Sequence, residues 1–211
     1  MTGMTAIGLI SDVHARVAPV REALEIFARE GVQQVFCAGD IAGYHHELAE
    51  TVALLADSGV QAVCGNHDLH YPDKPDTDAG TLAYLGRLPT IIDTVIEGKR
   101  VYMVHAEPPD ACMGGGIRLL DKFGAVRRDR AGYWTGQLAD FGCDVLVIGH
   151  THQVFAERLG ATLVVNPGST AFNHSCAVLR LPEARVEIFP LSGRSVEPYW
   201  SWSEYMRSKT G

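Results

Sequence analysis

The chain has 211 residues, 46% hydrophobic and 20% charged, with a formal net charge of −7 at pH 7. That length suits one well-buried domain over 1–211. The acidic balance argues against strong binding to nucleic acid or anionic membranes, although bound cations can still make one cleft positive. Cys37, Cys64, Cys112, Cys143 and Cys176 are odd in number, scattered and without a Cys-x-x-Cys pair. A reducing compartment therefore fits better than a disulfide framework. The first apolar run ends in Ser11-Asp12 with no basic segment before it, which reads as a strand and not a signal peptide. No apolar stretch approaches the ~20 residues needed to span a bilayer. The expected location is the cytoplasm.

In chain order, 5–10 predicts a buried strand. A helix follows near 19–30, with Val20, Ala23, Leu24 and Phe27 on one face and Gly31 past its end. Residues 34–38 predict a second strand, 46–57 a second amphipathic helix and 60–64 a third strand. This alternation implies right-handed crossovers and a largely parallel sheet. Residues 71–78, rich in Pro and Asp, predict a loop, and 79–87 a short helix. Residues 91–96 and 100–105 predict a hairpin across Glu97-Gly98-Lys99. A loop over 107–116, a helix over 131–141 and a strand over 144–148 follow. A meander of strands then runs over 153–158, 161–165, 175–181 and 185–190. The polar tail from 192, carrying Tyr199, Trp200, Trp202 and Tyr205, reads as packed back on the surface, with a homo-oligomer contact possible.

Five motifs each follow a short apolar run: Asp12-Val-His14, Gly39-Asp40, Gly65-Asn66-His67-Asp68, His105 and Gly149-His150-Thr151-His152. Residues i and i+2 of extended backbone point the same way, so Asp12 with His14, and His150 with His152, can each offer two ligands to one side. In open α/β sheets, ligands bind beyond the strands' carboxyl ends. Asp12, His14, Asp40, Asn66, His105, His150 and His152 thus form a candidate ligand set. Oxygen mixed with imidazole suits Mn²⁺, Fe²⁺, Zn²⁺ or Ni²⁺, with Mn²⁺ favoured. Seven side chains exceed the needs of one ion, and a shared Asp allows two ions ~3.5–4 Å apart. A neutral Asn66 leaves surplus positive charge for an anion, and phosphate esters are the obvious candidates.

This motif set resembles the calcineurin-like metallophosphoesterases, in the family's order from position 12 to 152. Asn166-Pro-Gly-Ser169 matches a sequence that often follows in small bacterial and archaeal members. The resemblance implies an α/β fold, a four-layer αββα sandwich of two mixed β-sheets flanked by helices. It implies one metal on Asp12, His14, Asp40 and His152, and a second on Asp40, Asn66, His105 and His150. A metal-bridging hydroxide would attack phosphorus, with His67 assisting the leaving group and Asp68 beside it as a further catalytic residue. The protein phosphatases of the superfamily follow Gly-Asp with a segment ending Asp-Arg-Gly. Here the segment is Gly39-Asp-Ile-Ala-Gly-Tyr-His45, without that arginine or the acidic partner for His67. The expectation is a phosphodiesterase acting on a small phosphate ester. The alternatives are a phosphomonoesterase or nucleotide pyrophosphatase on the same site, or a non-catalytic scaffold like the retromer subunit of this fold, whose site residues are degenerate.

Other features carry weaker expectations. His45 and His46 could line the cleft but read better as a solvated helix start, and His70 and His174 read as surface residues. Asn166 is a turn residue that could also hydrogen-bond near the site. Gly114-Gly115-Gly116 lacks the Gly-Lys-Ser/Thr of a phosphate loop and reads as a plain or lid-like loop. Arg127-Arg128-Asp129-Arg130 reads as a solvated face, and the aromatic tail as core or interface, since no basic groove accompanies it.

Overall fold

The computed structural model describes residues 4–71 and 77–210, so much of the loop expected at 71–78 lies outside the described residues. The chain runs β1 (Thr5–Ile10), α1 (Val17–Arg29), β2 (Gln34–Cys37), α2 (Leu48–Asp57), β3 (Gln61–Ala62), α3 (Asn66–His70) and α4 (Ala79–Leu85). It continues through β4 (Ile91–Ile96), β5 (Lys99–Val104), α5 (Arg128–Leu138), β6 (Val145–Val147), β7 (Val154–Leu159), β8 (Thr162–Pro167), β9 (Ser175–Leu181), β10 (Arg185–Pro190) and α6 (Trp202–Thr210).

Ten strands form two five-stranded sheets, ordered β10-β9-β1-β2-β3 and β4-β5-β6-β8-β7. In the first, β1, β2 and β3 are parallel, β9 runs against them, and β10 at the edge is antiparallel to β9. In the second, β5, β6 and β8 are parallel, with antiparallel β4 and β7 at the edges. Both sheets are therefore mixed.

The alternation of side chains along β1 shows how the layers stack. Ile7 and Leu9 enter a core that also holds Val101, Met103, Val145 and Val147 of the second sheet. Ala6 and Ile10 face the other way, into a core with Val20, Ala23 and Phe27 of α1 and Val52 and Leu55 of α2. A third core joins Trp134 and Leu138 of α5 to Tyr102, Leu146 and Val164 on the far face of the second sheet. Three buried interfaces separate four layers, helix–sheet–sheet–helix, which is the expected αββα sandwich.

Several elements differ from expectation, among them α3, a five-residue helix where the sequence predicts none. β3 keeps only two of the five expected residues because it is an edge strand paired to β2 alone, and Cys64 N–H already turns to the Pro89 carbonyl, 2.8 Å away. α5 begins at Arg128 instead of 131, with Asp129 in its first turn, where a carboxylate complements the helix dipole. The tail forms α6, and Tyr199 pairs with Gln153 beside the second sheet. His174 is buried, not on the surface, with its Nε2 3.2 Å from Arg194.

Gly8 lets α1 sit close to β1. A Cβ there would lie 2.6–2.8 Å from the Phe27 ring. Gly8→Ala should therefore destabilise the fold by about 1–3 kcal/mol through overpacking. A urea midpoint unchanged from wild type would show that α1 can retreat freely.

Candidate metal centre

All the parallel strands except β8 end in the site. Asp12 and His14 follow β1, Asp40 follows β2, Asn66 follows β3, His105 follows β5, and His150 and His152 follow β6. These turns are tight. Asp12, His14, Asp40, His150 and His152 all have positive φ, between 49° and 66°. Such left-handed conformations cost non-glycine residues of order 1–3 kcal/mol each and persist where surrounding contacts over-determine them.

The structure brings all seven expected ligands together. His14 Nε2 faces His152 Nε2 at 3.1 Å, and His152 Nε2 lies 3.2 Å from Asp12 Oδ1. On the other side, His105 Nε2 is 3.4 Å from Asp40 Oδ1 and 3.2 Å from Asn66 Oδ1, which lies 2.9 Å from His150 Nδ1. One potential ligand atom each from Asp12, His14 and His152 lie within 4.8 Å of one another, and so do those of Asp12, Asp40 and His105.

Ring orientation tests whether cations fit. His14 Nδ1 sits 3.2 Å from the Ala42 carbonyl, His105 Nδ1 2.6 Å from the Ala38 carbonyl, and His150 Nε2 2.8 Å from the Gly114 carbonyl. A carbonyl can only accept, so each of those nitrogens carries the proton and the other turns its lone pair inward. Lone pairs then face lone pairs and carboxylate oxygens, an arrangement that needs a cation between them. Donors about 2.0–2.1 Å from a shared ion, in octahedral or tetrahedral geometry, lie about 2.9–3.4 Å apart, which is the spacing seen here. Backbone carbonyls that fix the outer ring nitrogen are the usual support of metal-ligating histidines.

Electrostatics agree. Burial works against a charge on Asp12, yet His152, His105 and His14 hold its carboxyl well below the usual carboxylate range. Burial pushes His14 down to about 3 despite Asp40, so its imidazole is neutral. Burial would also lower His105, but the Asp40 carboxylate facing it outweighs that and lifts it to about 9. A proton thus occupies this side of the centre when no cation does.

Asp68 and His67 diverge. Burial, reinforced by the Asp40 charge, raises Asp68 to about 6. Its oxygens accept N–H bonds from Ala42 (2.8 Å) and Gly65 (2.9 Å), tying the Asp40 loop to the Asn66 loop. His67 instead lines the cavity, its ring packed 4.8 Å from Tyr44 and 5.0 Å from His14, while its backbone N–H donates to Asp40. Asn166 does not reach the ligand atoms. It donates to the Gly149 carbonyl and Thr151 hydroxyl and so shapes the His150 turn, while Ser169 Oγ donates to the Asp12 carbonyl at 2.6 Å. Close packing explains two motif glycines: a Cβ on Gly65 would meet Asp40 Oδ1 at 2.2 Å, and one on Gly149 would meet Ser11 Oγ at 1.9 Å.

Four of the candidate donors, Asp40, Asn66, His150 and His152, floor an open cavity of about 490 Å³. Its rim holds two features that sequence reasoning missed. Arg118, held by the Gly115 carbonyl, reaches the cavity from the end of the glycine-rich loop. Tyr199, Trp200 and Trp202 of the tail form part of the wall. The glycines before Arg118 were a usable signal; the tail offered only its aromatic content. His45 and His46 do not line the cavity, and Arg127 instead pairs with Asp129 at the solvated start of α5.

Residues 5–181 match the family model described as the calcineurin-like phosphoesterase superfamily domain. The chain belongs to that superfamily. It is 28% identical over 193 residues to a probable metallophosphoesterase from Methanothermobacter thermautotrophicus, covering 90% of this chain and 88% of that one. Among solved structures it superposes on a metallophosphoesterase from Sphaerobacter thermophilus with a TM-score of 0.70 at 20% identity, covering 90% of each chain. A structure described as a novel archaeal phosphodiesterase superposes with a TM-score of 0.59 at 20% identity, over 89% of this chain and 100% of that one. Among the described residues no helix is long and apolar enough to cross a membrane.

Because His105 must lose its proton to bind a cation, metal loading should release about one proton near pH 7.5, and apparent affinity should rise with pH up to about 9. Calorimetry in buffers of different ionisation enthalpy measures this. Buffer-independent heats would place the proton elsewhere.

Proposed function

We propose that the protein is a dinuclear-metal phosphohydrolase acting on phosphodiesters. One cation would rest on Asp12, His14, Asp40 and His152, the other on Asp40, Asn66, His105 and His150. Two bound divalent ions, manganese favoured, would supply Lewis-acid activation of water and of the phosphoryl group.

The chain's own residues do the rest. Asp40 stands between the two donor groups and holds them in register. His67 borders the cavity beside them and delivers a proton to the leaving oxygen. Asp68 is a positioning residue, since it fixes the two loops that carry Asp40 and His67.

Tyr44 is the observation that favours diesters. The segment after Asp40 presents its ring, 4.8 Å from both His14 and His67, where an arginine would suit a dianionic monoester. A diester carries one negative charge and a second organic group, which suits a ring better. Arg118 supports a second reading, a monoesterase or nucleotide pyrophosphatase, because its guanidinium can hold a terminal phosphate.

With Mn²⁺ the protein should hydrolyse bis-p-nitrophenyl phosphate faster than p-nitrophenyl phosphate, and Asp40→Asn should reduce turnover to background. Absence of turnover with each of Mn²⁺, Ni²⁺, Co²⁺ and Zn²⁺ would sink the proposal. The reverse rate order, or preference for a dinucleoside polyphosphate, selects the second reading. His67→Ala should keep its metal and lose about 10²–10⁴-fold in kcat. Elemental analysis showing metal loss would make His67 a ligand instead.

A further inference from the structure

The geometry points to a stacking subsite for a planar aromatic group, built by Trp202 and Trp200 of the tail beside the metal donors; the assignment rests on the phosphodiester reading and names the substrate's second ester group. Nucleosides are the biological source of such a group, with simple aryl esters as the alternative source.

Four observations carry it. First, the tail is fixed to the site. Trp200 N–H donates to the carbonyl of His152 at 3.0 Å, and Val154 N–H donates to Pro198 at 2.9 Å. Asn173, next to the Ser169 turn that supports Asp12, donates to the Glu197 carbonyl at 2.7 Å. Second, the rings grow outward from the centre in stacked pairs. Trp200 stacks on Phe172 at 4.1 Å and 12°, and Trp202 stacks on Tyr44 at 4.7 Å and 15°. Tyr44 in turn touches His67.

Third, two of these rings keep exposed surface. Trp202 is 43% and Tyr44 38% exposed, at the mouth of a cavity whose floor is polar. A ring used only for packing gains by being covered, so ring surface left exposed beside an anion site, on Trp202 between Tyr44 and Tyr205, suits a ligand that is charged at one end and flat at the other. Fourth, the hydroxyls of Ser201 and Ser203, 3.0 Å apart, share this wall and can serve the polar edge of a base or sugar. The cavity, about 490 Å³, falls within the usual range of about 300–1,000 Å³ for small ligands. A polynucleotide fits poorly, since among the described residues Arg118 is the only arginine or lysine lining the cavity and the chain carries −7 overall.

The test uses three p-nitrophenyl phosphodiesters that share a leaving group and differ in the other ester: methyl, phenyl and thymidine 5′. In the Mn²⁺-loaded wild type, kcat/KM for the phenyl and thymidine esters should exceed that for the methyl ester by roughly ten- to hundredfold. Thymidine above phenyl identifies the nucleoside as the source, and the reverse order identifies simple aryl esters. Trp202→Ala should collapse the gap and Trp202→Phe should largely restore it. Equal rates on all three in the wild type, or a gap unmoved by Trp202→Ala, overturn the subsite while leaving the phosphodiesterase reading intact.

A binding measurement keeps the two separable. Two of the three tryptophans lie in this wall, so thymidine 5′-monophosphate should quench tryptophan fluorescence at lower concentration than methyl phosphate, and less well in Trp202→Ala. If no diester turns over, that preference alone decides: its presence supports the subsite, and equal binding of the two phosphates removes it.

Discussion

Imidazole lone pairs turned toward one another and toward carboxylates, among mostly buried side chains, are the constraint on which the site depends. His14 and His105 are held in that orientation by the Ala42 and Ala38 carbonyls, and His150 by Gly114. None of these rings can swing away without breaking a backbone hydrogen bond, and for His14 and His105 that bond is buried. Removing water raises the cost of the facing lone pairs and equally raises the reward for a cation between them. The raised His105 shows the same balance in the absence of a metal: the nearest available positive charge, a proton, fills the gap.

That arrangement is expensive locally, and the layers supply what sustains it. Five ligand residues have left-handed backbone, and two motif glycines admit neighbouring oxygens where a side chain would collide. The strands that deliver them are gripped on both faces, since β1, β2, β5 and β6 contribute to the core between the sheets and to a helix-covered core as well. Cross-links tie the loops to one another: Asp68 spans the Asp40 and Asn66 loops, and Ser169 braces Asp12. Rigid packing at the strand ends makes several strained turns tolerable at once.

The candidate donors were legible in the sequence because each lies one to a few residues beyond an apolar strand, so local order fixes both its edge of the sheet and its direction. β1, β4, β9 and β10 match expectation residue for residue for the same reason, their alternation being local. The cavity's rim was not legible. Arg118 reaches it through a loop whose path depends on Gly114 and Gly116 against His150 and Thr151. Trp202 meets Tyr44 only because the tail crosses back along the edge of the second sheet, a contact between distant parts of the chain that no spacing encodes. His174 looked like a surface residue for the converse reason. Its polarity suggested solvent, while its place before β9 put it under Leu191, whose N–H donates to its carbonyl.

Floor and rim divide the work of recognition. An overall charge of −7 repels an approaching phosphate, and among the described residues Arg118 is the one lining arginine or lysine that offsets it. Long-range steering of the kind basic clefts provide is therefore weak here, and screening by salt has little to remove. On the proposed reading, attraction acts at short range, from cations bound at the floor and from contact with the walls. Short-range forces reward shape and flatness over charge. On that reading, a site whose walls are rings and hydroxyls would select among phosphate esters by the group that phosphate carries, which the ligand motifs alone cannot do.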